Sequence, residues 1–279
     1  MAAVAEERQE RGCGCSRVNV LNRSALRRKE QLPFFEIPAL SALGWVKHAF
    51  LTRRGGGSLP PYESLNLGRE NGDEEEHVRQ NRRRVGQSFD FDPEDLILLN
   101  QRHRDRILLL RQRLHPFPPL LEYDAVITDL SNQFVGILAA DCLPVFLVDP
   151  EKKIIAAVHA GRQGTALGIT AKVVRKMKEE WGCSPPHLLV VMGPAIGLCC
   201  YEIDEAVFLP EWESFATPKG DKKWMLDLAE INLAQLDGEG VKKEQIFRID
   251  LCTCCQGDLF FSYRRDGRTG RQLSFIGMV

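Results

Sequence analysis

The sequence lacks an excess of charge of either sign. Its 37 lysines and arginines oppose 38 aspartates and glutamates, for a net charge of −1. Nothing therefore draws the whole molecule toward nucleic acid or an anionic membrane. Such a partner would need a local basic patch. The concentrated basic runs are Arg27-Arg28-Lys29, Arg82-Arg83-Arg84 and Arg264-Arg265, and the middle one reads as a solvated helix end. Long apolar runs are also missing. Residues 134–148 are interrupted by Asp141 and Pro144, and residues 188–200 are shorter than the ~20 apolar residues of a membrane helix. The first thirty residues hold no apolar segment of the secretory kind and mix glutamate with arginine. These absences predict no nucleic-acid or membrane partner and a cytoplasmic location with reduced thiols. The nine cysteines, an odd number, are then structural, metal-binding or catalytic rather than disulfide-bonded. No internal repeat is present.

A length of 279 residues suits one large α/β unit or two fused lobes. Residues 1–31 are polar, carry Cys13-Gly14-Cys15 and read as a flexible arm; residues 32–279 read as a single catalytic domain. Asp73 is placed to cap a helix whose first turn is Glu74-Glu75-Glu76 and whose end is basic, as the helix dipole favours. Valine- and isoleucine-rich runs predict strands over 96–99, 107–110, 125–128, 134–140, 145–148, 154–158, 188–192, 246–251 and 259–263. The spacing of Ile169, Val173, Val174, Met177 and Trp181 predicts a helix over 165–181 closed by Gly182, and a second helix is predicted over 226–236. Hairpin-like spacing mixed with a strand–loop–helix unit predicts an α/β fold with mixed sheets.

Three polar residues stand at the ends of apolar strands. His103 lies in the polar turn after 96–99, Cys142 follows 134–140 within Ala140-Asp141-Cys142-Leu143-Pro144, and His159 opens the loop Ala160-Gly161-Arg162-Gln163-Gly164. Two imidazoles and a thiolate suit zinc. A catalytic zinc keeps three protein ligands and a water whose pKa it lowers to about 7. The same residues suit a Cys142 nucleophile activated by histidine. They also suit three unrelated buried side chains, because no short motif joins them. Gly161 to Gly164 lead into the predicted helix start at Thr165, where backbone amides favour an anion and Arg162 adds charge; glycines also simply permit tight turns.

The ordered set of segments resembles the YfiH-like, or laccase-domain, family, also called multicopper polyphenol oxidoreductases. The segments are Phe50-Leu51-Thr52-Arg53 with Gly56 and Ser58, Ser64-Leu65-Asn66-Leu67-Gly68, Asn81-Arg82, Gln101 with His103, and Asp124-Ala125 with Thr128. They continue with Ala140-Asp141-Cys142-Leu143-Pro144-Val145, Val158-His159-Ala160-Gly161, Gly193-Pro194-Ala195-Ile196-Gly197 with Tyr201-Glu202, Cys252-Thr253, and the run from Phe260 to Gly267. The resemblance implies a four-layer α-β-β-α arrangement and a zinc held by His103, Cys142 and His159. It implies phosphorolysis of adenosine, inosine, guanosine and methylthioadenosine, with phosphate as co-substrate, and deamination of adenosine. Asp141 is the implied proton shuttle or orienting group, and Arg53, Asn66, Arg162, Gln163 and Arg264 are the implied substrate contacts. Copper-dependent phenol oxidation and peptidoglycan editing, both linked to the family, are the alternatives; six histidines are few for a multicopper site. The chain departs from the family where Trp-Arg usually follows His-Ala-Gly, here Arg162-Gln163, and where Gln-Val-His-Gly is usual, here Gln101-Arg102-His103-Arg104. A more basic, less aromatic rim follows. Cys199-Cys200 and Cys252, Cys254 and Cys255 look like a metal cluster but read as structural thiols, since the metal has its ligands elsewhere.

Overall fold

Strands buried on both faces need apolar side chains on both, and this chain supplies them in unbroken runs. The structure, a computed structural model, describes residues 25–69, 71–113 and 121–279; Cys13 and Cys15 lie outside these. The strands are β1 Ala25–Lys29, β2 Leu32–Glu36, β3 Val46–Leu51, β4 Leu96–Leu98, β5 Ile107–Leu110, β6 Ala125–Thr128, β7 Gln133–Ala139 and β8 Leu143–Asp149. They continue as β9 Ile154–Ala160, β10 Leu189–Met192, β11 Glu202–Asp204, β12 Ala216–Gly220, β13 Lys223–Leu226, β14 Ile246–Arg248 and β15 Gln272–Met278. The helices are α1 Pro38–Ser41, α2 Glu75–Phe89, α3 Arg162–Ala166, α4 Ile169–Trp181, α5 Leu228–Gly238 and α6 Tyr263–Asp266.

Two sheets of six strands carry the fold, in the orders β1-β2-β3-β15-β7-β4 and β14-β10-β8-β9-β6-β5, beside a smaller sheet β11-β13-β12. Both large sheets are mixed. β4 with β7, β5 with β6 and β10 with β14 run parallel, and the other pairs are antiparallel. The pleat sorts the side chains into layers. Val145 and Leu147 of β8 pack toward Val173 and Met177 of α4, while Phe146 and Val148 face Val135 and Ile137 across the gap between the sheets. Phe134 and Phe275 turn the other way, toward Val85 and Phe89 of α2. The order α2, sheet, sheet, α4 with α5 is the expected α-β-β-α arrangement.

Several local expectations are corrected. Residues 96–99 and 107–110 do not flank a simple turn: β4 and β5 belong to different sheets, so the segment between them crosses from one sheet to the other. The helix expected over 165–181 is broken at Gly168, whose φ of 72° ends α3 before α4 begins. Gly182 closes α4 as expected, at φ 63°. Residues 259–263 form no strand; Ser262 instead caps the short helix α6 by accepting from the Arg265 amide. Leu226 ends β13, and Asp227 caps α5 by accepting from the amides of Ala229 and Glu230. Asp73 precedes the capping position of α2, which Glu74 occupies. Residues 25–29 of the expected arm form β1, which pairs with β2. Arg82 is no solvated helix end. Its guanidinium donates twice to the Leu67 carbonyl, at 3.1 and 2.7 Å, and burial lowers its pKa to about 10.

His48 on β3 is buried, and its Nε2 accepts from the Ile37 amide at 2.8 Å. Burial lowers its pKa from 6.5 to about 4. The folded state thus disfavours the charged form. Its contribution is complete above pH 6.5 and is lost as pH falls toward 4, amounting to roughly 3 kcal/mol over the whole window. Denaturant titrations between pH 7 and pH 5 should show this slope in the wild type and a shallower one in His48→Gln; equal slopes would refute it.

Candidate metal centre

The crossing between the sheets puts His103 at the end of β9, where His159 sits. Asp124, fully buried just before β6, makes this possible. Its Oδ1 accepts from the His103 amide at 2.9 Å, and its Oδ2 accepts from the amides of Arg102 and Arg104 at 3.2 and 2.8 Å. One carboxylate therefore gathers three successive amides and holds His103 in a left-handed conformation, φ 58°. The same Oδ1 lies 2.8 Å from His159 Nδ1. A carboxylate can only accept, so Nδ1 carries a proton, and Nε2 is the nitrogen that offers its lone pair once a metal displaces any proton there. Cys142 enters from the turn between β7 and β8, after Asp141 at φ 101°.

The ligand atoms of His103, Cys142 and His159 all lie within 4.8 Å of one another, and the two imidazole rings meet edge to face at 4.8 Å. Gly161 closes against all three. A Cβ there would stand 3.0 Å from Cys142 Sγ, 3.0 Å from His103 Cδ2 and 3.5 Å from His159 Cε1. Tetrahedral zinc at its usual bond lengths needs donors roughly 3.3–3.8 Å apart, and this set fits with small movements. The oriented His159 supplies the carboxylate–histidine support that metal-ligating imidazoles usually have. His159 is buried, Cys142 half-buried and His103 exposed, so one side of the cluster faces solvent and leaves room for a further ligand.

The charges reinforce one another. Burial opposes ionisation of Cys142, but the His159 charge and hydrogen bonds from both histidines bring its pKa down to about 6. Burial likewise opposes charge on His159, but the Cys142 thiolate and Asp124 raise it to about 9. The metal-free protein thus holds a thiolate–imidazolium pair at neutral pH. Iodoacetamide should alkylate Cys142 in metal-free protein with a midpoint near pH 6, and added zinc should suppress the reaction; a midpoint near 9 would contradict the pairing.

The other expected site residues divide. Asp141 is nearly buried, and its carboxylate accepts from Thr253 Oγ1 and the Arg264 amide, both at 2.7 Å. It orients the 253 and 264 segments, not a histidine. Asn66 is fully buried. Its amide bonds to Gly68, Asn71, Asp73 and the Arg271 amide, so it shapes a turn where a substrate contact was expected. Arg53 is held by the carbonyls of Glu63 and Gly257 and lies over the Phe261 ring at 4.7 Å. Arg264 donates to the carbonyls of Cys200 and Glu202 and covers Tyr201 at 5.2 Å. Arg162 begins α3 half-buried, and Gln163 beside it is exposed. Thr165 lies inside α3, whose first turn, not Thr165, follows the glycine.

Three residues were not expected here. Asp124 is one. Its signal is an acid directly ahead of the short buried strand Ala125–Thr128. Tyr201 is another: burial first, then the nearby Cys142 charge, push its hydroxyl up to about 12, against Arg162 and Arg264. Arg271 is the third. Burial lowers its pKa while Cys142 and Asp141 act to raise it, which puts a third guanidinium within electrostatic reach of the cluster. The cysteines expected to be incidental are also gathered: Cys199, Cys200, Cys252 and Cys255 form a second group.

Known proteins are similar to this chain in sequence and in fold. Residues 47–279 match the family model described as multi-copper polyphenol oxidoreductase laccase. The chain is 35% identical over 242 residues to a Bacillus subtilis protein named purine nucleoside phosphorylase YlmD, covering 82% of this chain and 87% of that one. It is 35% identical over 234 residues to the Escherichia coli protein named purine nucleoside phosphorylase YfiH, covering 82% and 92%. The solved structure of Bacillus licheniformis YfiH superposes with a TM-score of 0.84 at 34% identity, covering 92% of this chain and 99% of that one. This chain belongs to the YfiH-like family of multi-copper polyphenol oxidoreductase laccase proteins.

Proposed function

We propose that this protein is a purine nucleoside phosphorylase that holds zinc on His103, Cys142 and His159 and also deaminates adenosine. The observation that carries the reading is the His103–Cys142–His159 cluster with Asp124 behind it, open to solvent on one side. Zinc bound there would supply Lewis acidity and an activated water at neutral pH. The chain's own residues supply the rest. Arg162, Arg264 and Arg271 give positive charge suited to phosphate and to the anionic character that a purine gains as its bond to ribose breaks. In phosphorolysis a phosphate oxygen bonds to C1′, the C1′–N9 pair passes to the base, and a proton completes the free purine. Tyr201, whose hydroxyl stays protonated to about pH 12, is a donor suited to hold the base. The rim is richer in guanidinium than the family pattern because Arg104 and Arg162 replace glycine and tryptophan, which favours anionic co-substrates.

Incubating metal-replete protein with inosine and phosphate should release hypoxanthine and ribose 1-phosphate, and adenosine alone should yield inosine. Failure of both would refute the reading. The thiolate–imidazolium pair favours a second reading, a hydrolase or deamidase with Cys142 as nucleophile. That reading predicts full activity in chelator-treated protein, whereas the zinc reading predicts its loss. Copper-dependent phenol oxidation finds less support. Among the described residues, the groups able to hold a metal contain two histidines and otherwise cysteines, a poor match to multicopper chemistry.

A further inference from the structure

Four cysteines outside the centre described above converge. Cys199, Cys200, Cys252 and Cys255 have their Sγ atoms within 4.8 Å of one another. Two tight turns deliver them. In the first, the amides of Cys200 and Tyr201 donate to the Gly197 carbonyl at 3.0 and 3.1 Å. In the second, the Gln256 amide donates to the Cys252 carbonyl at 3.0 Å. A backbone bridge between Ala195 and Cys252 joins the turns at their base. The Cys255 sulfur lies 3.5 Å from that of Cys199 and 3.4 Å from that of Cys200. A disulfide holds its sulfurs about 2.05 Å apart, so these are separate thiols in contact. Four thiolates around one zinc at about 2.3 Å would stand roughly 3.8 Å apart, within a few tenths of an ångström of the two Cys255 separations and inside the 4.8 Å that bounds the whole set. The Gly197 amide also donates to the Cys252 sulfur at 3.3 Å, the kind of bond that supports a thiolate ligand. Four thiolates this close repel one another strongly unless a cation sits among them.

We propose that Cys199, Cys200, Cys252 and Cys255 hold a second zinc ion. A set of four thiolates leaves no open position, so this ion is structural. It clamps the 197–201 turn to the 252–256 turn, and both reach the first centre. Thr253 Oγ1 donates to Asp141, which precedes Cys142, and Arg264 donates to the Cys200 carbonyl at 3.2 Å. The ion therefore fixes the edge that carries Tyr201 and Arg264. Cys254 lies outside the set.

The proposal is independent of the activity assigned to the first centre, and its test reads metal rather than turnover. Protein purified under reductant is analysed for zinc as wild type, Cys199→Ser, Cys255→Ser and His103→Ala. One zinc equivalent per chain should disappear in both cysteine variants and persist in His103→Ala. Cobalt substitution should give the intense visible absorption of a four-thiolate site, retained in His103→Ala and reduced in Cys255→Ser to what a single thiolate at the first centre can give. Should the cysteine variants misfold, wild-type thiol titration still decides. These thiols should react with an aromatic disulfide reagent only after chelation. Zinc content unchanged in Cys255→Ser, iron in place of zinc, ready reaction of all the thiols without chelator, or a wild-type mass short of two hydrogens would each overturn the proposal.

Discussion

Asp124→Asn should lower metal affinity at the first centre by about 10–100-fold, with a parallel loss of turnover. The substitution keeps shape and removes only charge and one acceptor. Every group facing Asp124 is a donor: the His103 amide and His159 Nδ1 on one oxygen, the Arg102 and Arg104 amides on the other. An asparagine must aim its NH2 at one pair. Aimed at the amides, it loosens the crossing segment that holds His103. Aimed at His159, it forces the proton onto Nε2, the atom needed for the metal. Leaving buried N–H groups without acceptors costs about 1–3 kcal/mol each, so Asp124→Ala should be less stable still. Zinc titration against a competing chelator reads the affinity. An Asp124→Asn protein that binds zinc as tightly as wild type would show that the carboxylate does not organise the centre.

Gly193→Ala should destabilise the fold by about 3 kcal/mol or more, near the upper end for inserting a methyl group into a packed core. A Cβ at this position would stand 2.4 Å from the Phe50 ring and 2.7 Å from Pro144 Cγ. Neither can yield easily. Phe50 is fully buried between the sheets and stacks on Phe146 at 4.7 Å, and the Pro144 carbonyl receives the Gly193 amide at 2.8 Å. Denaturant unfolding at neutral pH measures the change. A loss under 1 kcal/mol would mean that the space between the sheets is looser than these contacts describe.

Local patterning made the buried strands legible. β5 and β6 fall where their short apolar runs place them, and β6, buried at all four positions, shows how an element covered on both faces advertises itself in composition. What failed were judgements about neighbours. Residues 96–99 and 107–110 look like a hairpin along the chain, yet strand partners are chosen by the whole sheet, and these two go to different sheets. Gly168 falls inside the helix expected over 165–181, but its left-handed backbone separates α3 from α4. The residues of the metal centre were legible as strand-end polar groups, and motif order joined them. Asp124 stands among the family segments, but its role is not legible there, because three of its four partners are backbone amides, which leave no mark in side-chain spacing. Asn66 and Arg53 present the opposite case. Their polar side chains are spent on backbone carbonyls and a turn, and sequence does not distinguish a polar group bonded to its own chain from one offered to a substrate. The four-cysteine group is not legible as one site in the sequence, because its two pairs lie about fifty residues apart and only the fold brings them together.

The most direct test is anomalous diffraction at the zinc edge from crystals of metal-replete protein. A peak bonded to Cys142 Sγ and to a nitrogen of both His103 and His159, the latter through Nε2, is the predicted result. Diffraction of comparable quality with no anomalous density among these three side chains would contradict the central claim.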